Sequence, residues 1–481
     1  MPRESVLIFA KVAGSSLEKK DTERVGERLQ VQKNQDAIDD AVARANSFVD
    51  EKSLVQLLVD LINIPSRTGE EARIARYFTD YMKNIGLAST YQSISETRAN
   101  SIGEIRGKGT GPRLIFNGHF DTSWVGNDDE DFAVRGEYDE SLYALRPEAK
   151  IENGMIYGLG AFNMKGGLAA SLGAAAAIVK SGVSEQLKGD IVITGVAGEI
   201  EKTPVKSLYA NYSGPHYHGG AFGTEYMMKH GLTGDYAIVG EPSGCHVSWI
   251  NAGYCWFKIQ TRGKVLNAAV VKDRTVNAIY EMLDVIRALE KWGGEYTQRE
   301  KTELLTPYVN VDAIESGWPY KLCFAPGVCA IYVDVRVVPG RKMDEIRREV
   351  EAVVKSVPTK YPVKVEMYMA NMGERTDPES WIIRSCIRAH ERIRSKKHST
   401  PYLPSSNVWA DANVFRRHGI PSAMLGPGDI WVPAEKESLY KIECVPISSL
   451  VECTKMYVAA ALDTCLRSRD ELQHQAVVQL G

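Results

Sequence analysis

The chain has 481 residues, of which 25% are charged, and its formal net charge at pH 7 is −3. This length is sufficient for two or three domains with a sizeable hydrophobic core. The nearly balanced charge argues against nucleic acid or a membrane surface as a partner, because both select basic patches. We therefore expect a small-molecule substrate.

The first 51 residues predict a helical extension of the main fold. Apolar residues recur between Lys19 and Asp50 at intervals of three, four and seven. Such spacing is typical of an amphipathic helix that packs on a partner or on the rest of the chain. A scaffold role for this extension is one hypothesis for its function.

The N-terminal apolar patch and the cysteines bear on the cellular compartment. The patch from Val6 to Val12 is too short for a secretory signal or a membrane span. The eight cysteines form no CxxC pair, which in a chain of this size favours buried thiols in a reducing compartment. We expect a cytoplasmic location.

Strands and helices alternate from residue 52 to 247 and again from 372 to 481. A leucine stripe, Leu54, Leu57, Leu58 and Leu61, predicts a helix that ends before Pro65. The alternation predicts an α/β catalytic domain of three layers, with a mixed sheet between helices. The further predicted helices are Gly69 to Gly86, Met164 to Val179, Phe222 to Gly231, 378 to 394, Ala410 to Arg417 and Pro446 to Leu466. The predicted strands are Ile102 to Gly107, Arg113 to Phe116, Ile191 to Val196, Tyr236 to Gly240 and Pro421 to Leu425.

The stretch from 248 to 371 has a different pattern and interrupts the catalytic domain. It predicts an α+β unit of two layers, inserted as a lid or dimerisation domain. Its predicted strands are Cys255 to Arg262, Val328 to Val337 and Val363 to Met369, and its predicted helices are Thr275 to Leu289 and Met343 to Val357.

Polar residues that suit a metal site follow three of the predicted strands. His119 and Asp121 come directly after the run Leu114 to Phe116. An imidazole binds a divalent ion through one nitrogen while a neighbouring carboxylate orients the other. Glu199 and Glu241 follow the next two apolar strands, so we expect them to lie at the same edge of the sheet.

The order of the motifs resembles one metallohydrolase family. His-x-Asp is followed by a Gly-x-Gly-x-x-Asn-Met-Lys-Gly-Gly turn, an acidic pair after a strand, Gly-Glu-Pro-Ser, the inserted unit and Gly-Pro-Gly. This order, over about Leu54 to Asp463, is similar to acetylornithine deacetylase, succinyl-diaminopimelate desuccinylase, aminoacylase-1 and carboxypeptidase G. The resemblance implies a hydrolase of amide-type C–N bonds that uses divalent metal ions.

The resemblance assigns roles to four intact residues. His119 and Glu241 match ligands of one metal ion, and Asp121 matches the carboxylate that orients the His. Glu199 matches the general base that takes a proton from water. The first half of the family's two-metal site is therefore present.

The other half of the two-metal site has been replaced. Asn163 stands where the family has a bridging Asp, Ile200 where it has a second Glu, and Pro433 where it has a ligand His four residues before a Glu. The alternative for the second Glu is a local shift that lets Glu201 serve in place of Ile200. Two unit charges of like sign about 4 Å apart, the order of the distance between paired metal ions, repel by about 4 kcal/mol even at an effective dielectric constant of about 20. We therefore expect at most one metal ion, zinc or manganese, on His119, Glu241 and Asn163. The alternative is a metal-free descendant that binds a small molecule or catalyses a non-hydrolytic step.

Four further residues are candidates for substrate binding. The resemblance points to Asn267 for the oxyanion, Arg336 for a substrate carboxylate and Asp411 as a pocket acid, and it implies a homodimer through the lid. His218, like His216, lies in a Gly-rich loop between Glu199 and Glu241. We expect a carboxylate-bearing amide; removal of an amine from an amidine or an activated aromatic ring is an alternative.

Overall fold

The computed structural model describes residues 32–124, 145–208, 216–399, 403–428 and 443–472. The helices are α1 (32–46), α2 (Glu51–Ile62), α3 (Ala72–Asn84), α4 (Gly166–Lys180), α5 (Phe222–Lys229), α6 (Ala278–Glu300), α7 (Met343–Ser356), α8 (Trp381–Arg394), α9 (Ala412–Arg417) and α10 (Ile447–Cys465). The strands are β1 (Ala88–Ser93), β2 (Ala99–Ile105), β3 (Leu114–His119), β4 (Lys150–Glu152), β5 (Met155–Tyr157), β6 (Ile191–Val196), β7 (Tyr236–Val239), β8 (Ile250–Asn251), β9 (Gly253–Arg262), β10 (Val309–Ser316), β11 (Val328–Val337), β12 (Lys364–Asn371), β13 (Glu374–Arg375), β14 (Ser422–Met424) and β15 (Cys444–Pro446).

The catalytic domain is built on a mixed six-stranded sheet in the order β1-β2-β6-β3-β7-β14. Strands β6, β3, β7 and β14 run parallel, whereas β1 and β2 are antiparallel to their neighbours. One apolar cluster joins the sheet to α2, α3, α4, α8 and α10, and another joins its opposite face to α5 and α9. The predicted three-layer α/β architecture is confirmed.

The leucine stripe of α2 shows how the sequence forms this layer. All four stripe leucines are buried, and the Asp50 side chain caps the helix by accepting a hydrogen bond from the Ser53 backbone N–H. A cap of this kind stabilises a helix by about 1 kcal/mol. Part of the predicted N-terminal extension also packs here, because Ile38, Val42 and Ala45 of α1 are buried in the same cluster. Residues 1–31 of the extension lie outside the described ranges.

Helix α4 approaches the end of strand β7 very closely. A Cβ atom on Gly167 would lie 2.1 Å from the carbonyl oxygen of Gly240, the residue before Glu241. Only glycine permits this contact between the two backbones. The segment Ala161–Lys180 is long and apolar enough to cross a membrane by composition, but it is mostly buried within the protein.

The inserted lid has an antiparallel sheet in the order β10-β11-β9-β12. Alternate residues of β9 and β11, including Phe257 and Val333, pack against α6 and α7. The other face carries the buried polar side chains Lys258, Asp334 and Arg336. The predicted two-layer α+β unit is confirmed, and its sheet lies within the predicted range 248–371.

The sequence patterns missed several strands, among them the edge strands β1 and β10 of the two larger sheets. Strand β1 is mostly polar and has no buried position, and the alternation of β10 ends after Val309 to Asp312, where its register shifts, so neither shows a sustained apolar alternation. Helix α6 also runs to Glu300 rather than Leu289, because Trp292, Gly293 and Tyr296 continue its buried side.

Candidate active site

The ends of three parallel strands bring the central acidic and His side chains together. His119 ends β3, while Glu199 and Glu241 follow β6 and β7, the two strands that flank it. One ligand atom of each of these three buried residues lies within 4.8 Å of the other two. The sheet therefore assembles the His and the two carboxylates predicted from the strand ends.

His119 is oriented by the backbone of Asp121 rather than by its carboxylate. Nδ1 of His119 lies 2.8 Å from the Asp121 carbonyl oxygen and 3.5 Å from the carboxylate oxygen Oδ1. The Asp121 carboxylate instead accepts hydrogen bonds from the Thr68 hydroxyl and from the backbone N–H groups of Glu199 and Ile200. Asp121 thus fixes both the imidazole and the turn that carries Glu199.

The other imidazole nitrogen faces three oxygen-bearing side chains. Nε2 of His119 lies 2.8 Å from Asn163 Oδ1, 3.5 Å from Glu199 Oε2 and 3.5 Å from Glu241 Oε1. The predicted ligands His119, Glu241 and Asn163 are therefore brought together. Glu199 is as close to Nε2 as Glu241, so these distances alone do not separate a base from a ligand.

The carboxyl groups of this site are buried close to one another. Burial and the neighbouring Glu241 and Asp411 raise the pKa of Glu199 well above its usual range. Burial raises the pKa of Glu241 to about 7 and that of Asp411 to about 7. Burial lowers the pKa of His119, but Glu199 and the other nearby carboxylates outweigh it and raise that pKa well above its ordinary value. The cluster is therefore short of positive charge.

A divalent cation fits this arrangement. Oε1 of Glu241 is buried and has no hydrogen-bond partner among the described residues. A buried carboxylate oxygen without a partner is costly unless a cation or a proton neutralises it. His119, Glu241 and Asn163, with Glu199 beside them, would supply one imidazole and oxygen donors, which suit zinc or manganese.

Ile200 and Glu201, which follow Glu199, have other partners in the structure. Ile200 contributes its backbone N–H to Asp121, and Glu201 is paired with Arg336 at 2.5 Å. The prediction that Glu201 replaces the missing ligand is therefore not supported by its position. Pro433 lies outside the described residues, and the sequence has no His between His418 and His474.

Glu443 is a buried acid that the sequence analysis missed. Its Oε2 accepts hydrogen bonds from the backbone N–H groups of Gly160 and Phe162, directly before Asn163. The resemblance placed the ligand His four residues before a Glu, which from Pro433 is Glu437; the same count from Glu443 gives Leu439. Either register puts an apolar residue at the ligand position.

Two of the four predicted substrate-binding residues, Asp411 and Arg336, are buried near the active site. Asp411 is buried near the site; its Oδ2 accepts the Thr224 hydroxyl and its Oδ1 has no partner among the described residues. Arg336 is buried beside the site but already holds Glu201 and Asp334. Its guanidinium is therefore not open to a substrate carboxylate in this conformation.

The remaining two predicted residues lie at the surface. Asn267 is exposed on the lid, and its side-chain oxygen caps a short helical turn through the Ala269 backbone N–H. His218 is exposed, and its Nδ1 lies 3.1 Å from the Thr203 hydroxyl oxygen. Neither side chain is part of the buried cluster around His119.

Comparison with known proteins identifies similar sequences and folds. The model of peptidase family M20/M25/M40 matches residues 115–463. The chain is 23% identical over 457 residues to N-formyl-4-amino-5-aminomethyl-2-methylpyrimidine deformylase of Bacillus subtilis, covering 88% of this chain and 96% of that protein. It is 25% identical over 331 residues to acetylornithine deacetylase of Myxococcus xanthus, covering 67% and 75%. The structure of human carnosine dipeptidase 1 matches with a TM-score of 0.63 at 14% identity, covering 88% of this chain and 98% of that one, and shows likeness of fold.

Proposed function

Because the chain belongs to peptidase family M20/M25/M40, we propose that it hydrolyses an amide-type C–N bond in a small molecule with a single divalent metal ion. The observation that carries this proposal is the buried cluster of His119, Glu199 and Glu241, whose ligand atoms lie within 4.8 Å of one another. One imidazole and two carboxylates beside Asn163 are suited to one ion. The neutral Asn163 and the apolar Ile200 argue against a second.

The metal ion would provide Lewis-acid chemistry to the reaction. Held by His119, Glu241 and Asn163, it would act as a Lewis acid that activates the attacking water and polarises the amide carbonyl. The protein's part is to place these ligands: β3 and β7 carry His119 and Glu241, and the Asp121 carbonyl fixes the imidazole through Nδ1.

Glu199 is the proposed general base. It removes a proton from water as the water oxygen attacks the carbonyl carbon, and it delivers that proton to the leaving nitrogen as the C–N bond breaks. Its backbone N–H is held by Asp121 at 2.9 Å, which fixes the turn that carries it. The burial of the carboxyl group keeps bulk water away from this proton transfer.

The proposed substrate is a small N-acylated amine. The Bacillus subtilis relative is named for removal of a formyl group and the Myxococcus xanthus relative for removal of an acetyl group. The sequence favoured a carboxylate-bearing substrate because of Arg336, but the ion pairs of Arg336 with Glu201 and Asp334 give that preference no support. The proposal therefore rests on the amide and not on a substrate carboxylate.

We also propose a homodimer formed through the lid. Asn267 is exposed beside Phe324, with which it forms a β-bridge, so it reaches an active site only if a partner copy provides one. Apolar side chains are exposed on the same part of the lid, and a second copy would remove them from water. They are Val265, Val270, Trp318, Tyr320, Leu322 and Phe324. Sedimentation of wild type and of a Tyr320→Lys, Leu322→Lys variant tests this, because the variant should sediment as a monomer.

The proposed location is the cytoplasm. This proposal rests on the cysteines, which form no CxxC pair in the sequence and six of which are buried: Cys245, Cys255, Cys329, Cys386, Cys453 and Cys465. Fractionation of cells that produce the full-length chain provides the test.

Metal analysis separates this function from a metal-free one. Protein purified without chelator should contain about one equivalent of zinc or manganese, lose amide hydrolysis on chelation and regain it when metal is returned. Less than about 0.1 equivalent, with activity indifferent to chelator, would favour the metal-free alternative.

Two glutamine substitutions separate the base from the ligand. Glu199→Gln should lower kcat by about 100-fold or more while the metal content stays near one equivalent. Glu241→Gln should lower both kcat and the affinity for the metal ion. Undiminished turnover in Glu199→Gln would remove this residue from the mechanism.

A further inference from the structure

Arg336 of the lid forms a buried ion-pair group with two carboxylates. Its Nη1 lies 2.5 Å from Glu201 Oε1, and its Nε lies 2.8 Å from Asp334 Oδ2. The Arg336 side chain is 7% exposed and packs beside the rings of Tyr254 and Tyr308. One positive charge therefore faces two negative charges within this group.

Glu201 reaches Arg336 from the catalytic domain. It follows the proposed base Glu199 by two residues and begins the segment 201–208, which contacts lid residues through Glu201, Lys206 and Leu208. The Lys206 carbonyl oxygen accepts a hydrogen bond from Lys258 Nζ, and the Leu208 backbone N–H donates to Glu315 Oε2 at 2.8 Å. Contacts with β9, β10 and β11 thus hold the segment, and with it Glu201, against the lid.

Glu201 is separated from Glu199 by Ile200 alone, whose backbone N–H donates to the Asp121 carboxylate of the active site. Glu201 is among the groups that raise the pKa values of both Glu199 and Glu241. A substrate carboxylate that bound Arg336 would have to displace Glu201. The displaced carboxylate would then be left, without its cation, beside the carboxyl groups of Glu199 and Glu241. The substrate's own negative charge would add to the same repulsion.

We infer that Glu201 sets the charge specificity of the site, so that it selects amides that are neutral or positively charged and rejects amides that carry a carboxylate. This inference rests on the proposed amide hydrolysis and names the substrate class within it. Glu201 occupies the guanidinium that would otherwise recognise an anion. The surrounding carboxylates favour an amine-bearing substrate for the same electrostatic reason.

Three formamides of the same shape provide the kinetic test. They are N-benzylformamide and its para-substituted derivatives with a carboxylate or an aminomethyl group. For the metal-loaded wild type, kcat/KM for the neutral and cationic compounds should exceed that for the carboxylate by about 100-fold or more. In Glu201→Gln, the ratio of carboxylate to neutral kcat/KM should rise by at least about tenfold, since Arg336 is released from one anion.

Glu315→Gln is the matched control for this substitution. Glu315 holds the same segment through Leu208 but is not a partner of Arg336 in the structure. In Glu315→Gln, the ratio of carboxylate to neutral kcat/KM should stay within about threefold of the wild-type ratio, because neither carboxylate paired with Arg336 changes. An equal rise in both variants would mean that loosening of the segment, and not the charge of Glu201, is responsible, and would overturn the inference.

A binding measurement keeps the inference separate from the proposed function. Binding of 4-methylbenzoate to the metal-loaded protein is measured by calorimetry for wild type and for both variants. Glu201→Gln should bind this anion at least about tenfold more tightly than the other two. Equal affinities would overturn the inference even if all three formamides are hydrolysed. If wild type hydrolyses none of them, the proposed function fails, and the anion affinities still decide the role of Glu201.

Discussion

Oε2 of Glu443 lies 3.0 Å from the backbone nitrogen of Gly160, and this contact joins the C-terminal part of the chain to the turn that carries Asn163. The same oxygen accepts the Phe162 N–H. On the other side of this turn, Lys165 is buried and donates to the Ile64 carbonyl oxygen. Two buried ionisable side chains therefore position one proposed metal ligand.

Replacement of Glu443 should damage both stability and activity. Glu443→Ala removes the acceptor for two backbone N–H groups and the carboxylate whose charge raises the pKa of buried Lys165, so the free energy of unfolding should fall by about 3 kcal/mol. Glu443→Gln keeps an acceptor oxygen and should lose less. Denaturant unfolding and kcat/KM check both effects; equal stabilities of Glu443→Ala and wild type would contradict the positioning role.

Asn163→Asp should strengthen metal binding without adding a second ion. A carboxylate at this position would place a negative charge where Asn163 Oδ1 now lies, 2.8 Å from His119 Nε2. The affinity for zinc should rise by about tenfold or more because the added charge attracts the cation. Competition titration measures the affinity, and metal analysis should still give about one equivalent, since Ile200 and the missing His are unchanged. Two tightly bound equivalents would show that the charge at position 163 alone decides the metal number.

Gly167→Ala should be strongly destabilising. The added Cβ would lie 2.1 Å from the Gly240 carbonyl oxygen, so α4 must move away from the end of β7. A loss of about 2–3 kcal/mol in the free energy of unfolding is expected, with a fall in metal affinity because Glu241 follows Gly240. Gly294→Ala in α6 is the control: a Cβ there meets no atom within 4 Å, and alanine should stabilise the helix by up to about 1 kcal/mol.

Three histidines away from the active site should make stability depend on pH in the acid range. The rings of His246, His390 and His398 lie 4.8–5.9 Å apart. Burial, together with the other two histidines, lowers the pKa of His398 to about 4, and burial also lowers the pKa values of His246 and His390. Nε2 of His398 accepts the Val247 backbone N–H, which requires an unprotonated nitrogen.

In the unfolded chain His398 takes up a proton near pH 6.5, whereas in the folded chain it does so only near pH 4. The contribution of His398 to the free energy of unfolding should therefore be constant above about pH 6.5 and fall as the pH drops from there to about 4. His398→Gln should reduce this fall by about 1–2 kcal/mol, a range that allows for partial screening by solvent. Unfolding measured from pH 4 to 8 tests this, with the exposed His230→Gln as control; identical pH profiles for His398→Gln and wild type would contradict it.

The sequence was most informative where a strand end and a chemical motif coincide. His119, Glu199 and Glu241 were found because parallel strands bring their carboxyl ends to one edge of a sheet. Strands β6 and β11 were predicted with the bounds that the structure has, since both are continuous apolar or alternating runs between clear breaks.

Contacts between distant parts of the chain were not predictable in the same way. Glu443 follows a segment with no regular pattern, and Glu437 had the expected spacing from Pro433. The pairing of Glu201 with Arg336 joins positions 135 residues apart on different domains. Neither residue's local sequence indicates the other, so the charge of Arg336 was interpreted without the anion that neutralises it.

The placement of His119 on β3, in the interior of the central sheet between β6 and β7, has a consequence for how the protein loses function. The backbone amide hydrogens of such a core strand exchange with solvent only when the protein unfolds globally or nearly so. Catalysis and cooperative structure should therefore disappear together during denaturation, and residual turnover would report the folded fraction directly.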